Sequence, residues 1–170
     1  MRWLQGIALI AATMTTGVMA GVFILYAHTI MPGLGKTDDR TFVGAFQAID
    51  RAIINPWFMP TFFGPLLFAG LAIVLQARTA EVWAWSWIAL AFVLYLATVV
   101  ITFRVHLPLN DGIKAAGDLD RIADLAAVRE RFNEASWIRW NMIRVATTTS
   151  AFACLAWALV QYGCTLRRTH

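Results

Sequence analysis

The chain has 170 residues, of which 59% are apolar and only 14% charged, against about 25% charged in ordinary soluble domains, and this excludes a typical water-soluble globular protein. Four stretches, between Arg2 and Lys36, Arg51 and Arg78, Glu81 and Arg104, and Arg144 and Arg167, contain no Asp, Glu, Lys or Arg, and each exceeds the roughly 18 residues that make a membrane-spanning helix candidate. The net charge of +4 comes from the ends, because both long loops balance bases with acids, which excludes a nucleic-acid-binding face.

Span one is expected over residues 3–27. It is too long for the apolar part of a cleaved signal peptide. Small residues line it, with Gly17 and Gly21 in G-x-x-x-G spacing, which suits close packing inside the bundle or, alternatively, a homo-oligomer face. His28 and Pro32-Gly33 end it. In residues 41–54, Phe42, Phe46, Ile49 and Ile53 recur at helical spacing behind Asp38-Asp39, which predicts an amphipathic helix with acids in its first turn.

Asn55-Pro56 opens span two, over residues 56–76, and Pro60 bends its start. Residues 77–82 are long enough only for an antiparallel turn. Span three, residues 83–103, begins with Trp83, Trp85 and Trp87, which read as interfacial anchors. Residues 104–117 are expected to be irregular, because Pro108 and Asn110-Asp111-Gly112 favour turns. Residues 118–134 carry Leu119, Ile122, Leu125, Val128 and Phe132 among charges, an amphipathic helix feeding span four, residues 137–162. Cys154 and Cys164 lie ten apart on that span, about 15 Å along its axis, beyond disulfide reach. The expected fold is a single integral membrane domain over residues 1–170. It is an all-α, antiparallel four-transmembrane-helix bundle with amphipathic helices capping one mouth.

Antiparallel spans gather the unusual polar residues at that one mouth: His28, Gln47, Asp50, Asn55, Arg104, His106, Asn110, Trp140, Asn141 and Arg144. Polar groups at membrane depth are costly unless they serve a cavity, so a lipophilic ligand pocket is expected there. Trp137, Trp140, Asn141 and Arg144 share one helical face. Arg144, set among Met142, Ile143 and Val145, is either a snorkelling cation or an anchor for an anionic or carbonyl group. Gln47 and Asp50 share a face of the loop helix that is either solvated or turned to the ligand. His28 and His106 sit at similar depth and read as interfacial hydrogen-bonding groups, as proton acceptors, or with Asp50 as a two-histidine, one-carboxylate metal site. No helical ligand spacing supports the metal, and no nucleotide, flavin or serine-hydrolase motif is present.

The runs Met31-Pro32-Gly33-Leu34, residues 37–43, Gln47-Ala48-Ile49 and Asn55-Pro56-Trp57-Phe58 resemble the anthrone oxygenase family of small four-span membrane proteins. So do Leu107-Pro108-Leu109-Asn110-Asp111, residues 121–129, and Trp137-Ile138-Arg139-Trp140-Asn141 with Arg144. Two positions depart from the family pattern: His106 and Asp50 each replace an amide with an ionisable group. The resemblance implies oxidation of a lipophilic phenol or anthrone by O₂ without a cofactor. It suggests His106 or His28, and less so Asp50, as base, and Arg144 with Asn141 and Asn110 as oxyanion donors. Gln47, Asn55, Trp57, Trp137 and Trp140 complete the substrate site, with Trp57 and Trp140 stacking on a planar ring. The expected partners are that small molecule and the bilayer, with a bacterial inner or plasma membrane as the location. The competing class is a non-enzymatic membrane protein that binds, carries or senses a lipophilic ligand.

Overall fold

A computed structural model describes residues 2–76 and 82–168, with no strand among them. Helix α1 (Arg2–Leu25) continues through a π-helical turn (Tyr26–Ile30) into α2 (Met31–Leu34), and α3 (Asp39–Ile53) and α4 (Phe58–Gln76) follow. Then come α5 (Val82–Ile101), a second π-helical turn (Thr102–His106), α6 (Leu107–Ala115), a 3-10 turn (Leu119–Arg121), α7 (Leu125–Phe132) and α8 (Glu134–Arg168). Four helical stretches, Trp3–Leu34, Phe58–Gln76, Trp85–Ala115 and Leu125–Thr165, are long and apolar enough to cross a membrane. The expected four-helix membrane bundle is what the chain forms.

Helices α1 and α5 each pack on both α4 and α8. The four spans therefore form a ring in which every neighbour is antiparallel. Met19, Phe23, Phe62, Ile88, Tyr95 and Leu155 fill its centre, while Leu67, Val93 and Trp157 stay exposed, as a lipid-facing surface requires. Close approach depends on two glycines. A Cβ at Gly17 would lie 2.8 Å from the Phe152 ring, and one at Gly64 2.9 Å from Thr15 Cγ2, so Gly17 serves packing within this chain. A second core, Met31, Phe42, Val43, Phe46, Ile113, Phe132 and Trp137, joins α3, α6 and α7 over one end of the bundle. Arg129 pins this cap: it bonds Glu134 (2.5 Å), Asp39 (3.1 Å), and the carbonyls of Thr37 (2.9 Å) and Gly35 (3.2 Å). Arg40 pairs with Asp120.

Three local expectations need correction. Span one does not stop at His28, and residues 104–117 are not irregular; both continue as helix. In each case a five-residue π turn precedes the proline, with Met31 N–H bonding Tyr26 O and Leu107 N–H bonding Thr102 O. The wider turn places Pro32 and Pro108 in the first turn of a new α-helix, where the missing N–H costs little. The amphipathic helix of residues 118–134 is shorter and broken. It begins at Leu125, where the Asp124 carboxylate accepts from Ala127 N–H, and ends at Asn133, whose φ of 54° is left-handed. Asn tolerates that conformation, and its side chain then caps α8 by accepting from Ser136 N–H (3.1 Å). The turn expected around residues 77–81 lies outside the described residues, as do the side chains of Trp83, Arg167 and Arg168.

Candidate functional site

Beneath the cap layer lies a cavity of about 220 Å³ bounded by α1, α3, α4, both π turns, α6 and α8. Phe23, Tyr26, Phe46, Phe58, Phe62, Phe63, Phe103 and Trp137 give it aromatic walls. Its polar lining is confined to Asp50, Thr102, His106, Asn110, Lys114 and Arg144, besides the phenol of Tyr26. An apolar pocket with a few convergent polar groups is the usual form of a small-molecule site.

Trp137 organises these polar groups. Its indole N–H donates to Asn110 Oδ1 (2.9 Å), and Asn110 Nδ2 donates to Asp50 Oδ1 (2.7 Å). Asp50 Oδ2 meets Lys114 Nζ at 2.7 Å, and Lys114 also reaches Asp111 at 3.0 Å. The Trp137 carbonyl lies 3.3 Å from His106 Nε2. A carbonyl only accepts, so this contact is a hydrogen bond in the tautomer with the proton on Nε2 and the lone pair on Nδ1; the Ile101 carbonyl also lies against the ring. That Nδ1 is buried without a hydrogen-bond partner. The imidazole packs edge-on against the indole, centroids 4.9 Å apart.

Arg144 is 5% exposed and forms no ion pair among the described residues. Its guanidinium donates to Asn141 Oδ1 (2.8 Å) and Thr102 Oγ1 (3.2 Å). It lies over Phe23 at 4.5 Å and Trp137 at 5.4 Å, and its Nε is buried without a partner. Asn141 is oriented in turn by donating to the Phe23 carbonyl (3.1 Å). Aromatic faces and neutral oxygens soften the burial of this cation without neutralising it. The guanidinium thus keeps its charge inside the cavity lining, with Nε free to donate.

Of the residues singled out in the sequence, Asp50, His106, Asn110, Trp137 and Arg144 line this one cavity, and Asn141 stands directly behind Arg144. Gln47 is buried with Asp50, which settles which way that face of α3 turns; its amide donates to the carbonyls of Ile113 (2.8 Å) and Gly117 (3.2 Å) and ties α3 to α6. Asn55 caps α4, accepting from the N–H groups of Trp57 (3.0 Å) and Phe58 (2.8 Å). Trp57 is 86% exposed, Trp140 is half-buried outside the lining, and His28 is exposed with Nδ1 2.6 Å from Thr29 Oγ1. Among the described residues, no three of His, Cys, Asp and Glu gather as a metal site.

Tyr26, Thr102 and Lys114 join the cavity without having been singled out. Lys114 carried a usable signal: His106, Asn110 and Lys114 are spaced by four, one face of a helix, but only if the helix is carried past Pro108. Thr102 continues the same row one turn earlier. Tyr26 had no such signal, because nothing in span one marks which side faces the cavity.

A sequence model of the anthrone oxygenase family matches residues 57–154, more than half of the chain, and the chain belongs to that family. The matched region holds α4, α5, α6 and the part of α8 that carries Trp137, Asn141 and Arg144. No curated protein and no solved structure matches the chain.

Proposed function

We propose that this member of the anthrone oxygenase family is a membrane-embedded oxygenase that oxidises a lipophilic anthrone- or phenol-type substrate with O₂, using no cofactor. The observation that carries the reading is the buried Arg144 guanidinium, which forms no ion pair among the described residues, in an aromatic-walled cavity also lined by the His106 imidazole, whose buried Nδ1 makes no hydrogen bond. For an anthrone the chemistry balances as anthrone plus O₂ giving anthraquinone plus water. His106 Nδ1 takes a proton from the activated methylene. The negative charge moves to the carbonyl oxygen across the central ring, where Arg144, oriented by Asn141 and Thr102, stabilises it. The electron-rich enolate then reduces O₂, a carbon–oxygen bond forms at the former methylene, and loss of water from the resulting hydroperoxide leaves the second carbonyl. Trp137 and the phenylalanine walls hold the planar ring and keep water from the anion.

Oxygen uptake by the purified protein in lipid vesicles, with anthrone as substrate, tests this. Turnover that survives exhaustive chelation and is lost in Arg144→Lys is expected, because lysine keeps the charge without the planar fork that uses Asn141 and Thr102 together. Loss of turnover on chelation would replace the cofactor-free route with a metal-dependent one. Saturable anthrone binding with no oxygen uptake would make the protein a carrier or sensor instead.

A further inference from the structure

Access to the Arg144 cavity differs sharply between its two sides. Toward the cap, the polar lining is cross-linked: Lys114 bridges Asp50 and Asp111 at 2.7 and 3.0 Å, and Asn110 ties Asp50 to Trp137. Toward the bundle's flank, three lining residues are also exposed: Ile54 (66%), Phe63 (45%) and Phe103 (49%). A side chain that both lines a cavity and meets the exterior is all that stands between the two at that point. All three are apolar, and Phe63 and Phe103 lie within membrane-crossing segments. The Tyr95 hydroxyl, donating to the Phe62 carbonyl (2.8 Å), ties α5 to α4 beside this opening.

We infer that Ile54, Phe63 and Phe103 frame a lateral portal through which an amphipathic aromatic ligand passes directly from the bilayer, its oxyanionic end reaching Arg144 and an apolar substituent remaining between the portal residues in lipid. The inference rests on the proposed role of Arg144 as an oxyanion anchor, but not on catalysis. Two consequences are specific. The ligand never crosses the Lys114–Asp50 side, so its exchange depends on the portal rim. A long alkyl chain is also tolerated, because it extends into the membrane; a closed cavity of about 220 Å³, smaller than the usual range for drug-sized ligands, has no room for fused rings and a chain together.

The test uses the full chain in phosphatidylcholine vesicles and two probes, the hydroxyanthraquinone alizarin and an alizarin bearing a dodecyl chain, dosed per mole of lipid. Binding is read from the visible absorption of the bound phenolate. Wild type should bind both probes within about threefold of each other, and Arg144→Met should weaken both by about ten- to a hundredfold. Ile54→Trp, which adds bulk at the exposed rim, should slow association of both probes and weaken the dodecyl probe by about tenfold, equivalent to about 1.4 kcal/mol. Exclusion of the dodecyl probe from wild type, unchanged association in Ile54→Trp, or no binding of either probe would each overturn the portal. Binding that follows these expectations while anthrone consumes no oxygen would leave the portal standing and remove the oxygenase reading. Anthrone turnover with exclusion of the dodecyl probe would do the reverse.

Discussion

The two π-helical turns, Tyr26–Ile30 and Thr102–His106, solve the same problem with the same length and the same distance to a proline, yet they supply different chemistry. Aligned on that proline, Tyr26 corresponds to Thr102, and both line the cavity. His28 corresponds to Arg104, and both are exposed. The fifth position is Ile30 in one turn and the buried His106 in the other. His28 and His106 therefore stand two positions apart in equivalent turns and differ in direction. In a bundle, the angle about the helix axis decides whether an imidazole meets a ligand, and depth alone does not. The cap layer adds a second difference, since Trp137 meets His106 with both its carbonyl and its ring whereas His28 contacts Thr29.

The strongest way to break this comparison is to delete each histidine. His106→Ala should lower kcat/KM for anthrone oxidation by about 10² to 10⁴-fold, the usual weight of a general base, while His28→Ala stays close to wild type. Equal losses, read as oxygen uptake in vesicles, would put the two turns on the same footing. The arginines form the next pair. Arg144→Met should weaken binding of an anionic hydroxyanthraquinone by about 1.5–3 kcal/mol, the range for hydrogen bonds to charged groups. Arg104→Met, at the exposed third position, should leave that affinity alone. Equal weakening in the two titrations would show that the cations act at long range and not through contact.

How much of this could be read from the sequence follows from the same geometry. Gaps without charge locate the four spans, because charge is expensive in hydrocarbon whatever the helix's neighbours are. Trp137, Asn141 and Arg144 were legible as one face because a single uninterrupted helix carries them. His106, Asn110 and Lys114 form an equally regular row, hidden because Pro108 reads locally as a breaker and nothing in the sequence announces the π turn that accommodates it. The positions of Trp57 and His28 away from the cavity depend on how whole helices turn toward one another, which spacing within one helix does not encode. The division of residues 118–134 was closer to the surface, since Asp124 and Asn133 are both good capping residues. Continuous apolar spacing across them hid the break.

A third contrast sets the polar links that hold each histidine's surroundings. Asn110 joins Asp50 to the Trp137 indole, so Asn110→Ala leaves a partly buried carboxylate oxygen and an indole N–H without their partner. A destabilisation of about 1–3 kcal/mol is expected, read from the denaturation midpoint in detergent. Thr29→Ala, which removes the neighbour of the exposed His28, should stay within about 0.5 kcal/mol. Equal midpoints for the two variants would mean that water replaces the Asn110 links as readily as the Thr29 one, and that the cap layer is wetter than its packing implies.

The smallest effect separates two helix starts in the cap layer. Asp38 begins α3 by accepting from both the Thr41 N–H and the Thr41 hydroxyl, each at 2.9 Å, whereas Asp124 begins α7 by accepting from the Ala127 N–H at 2.9 Å. The backbone bond from Thr41, followed by its hydroxyl, holds the Asp38 carboxyl below its ordinary pKa. A carboxylate with a depressed folded pKa stabilises the folded state fully above its unfolded pKa, and that contribution disappears as pH falls through the folded value. Protection of the Thr41 amide against hydrogen exchange, corrected for the intrinsic pH dependence, should therefore decline on the acid side in the wild type. Asp38→Asn keeps a capping oxygen but has no proton to gain, so its protection should be flat over the same range. A decline of the same size in Asp38→Asn would assign the acid sensitivity to another group in the cap.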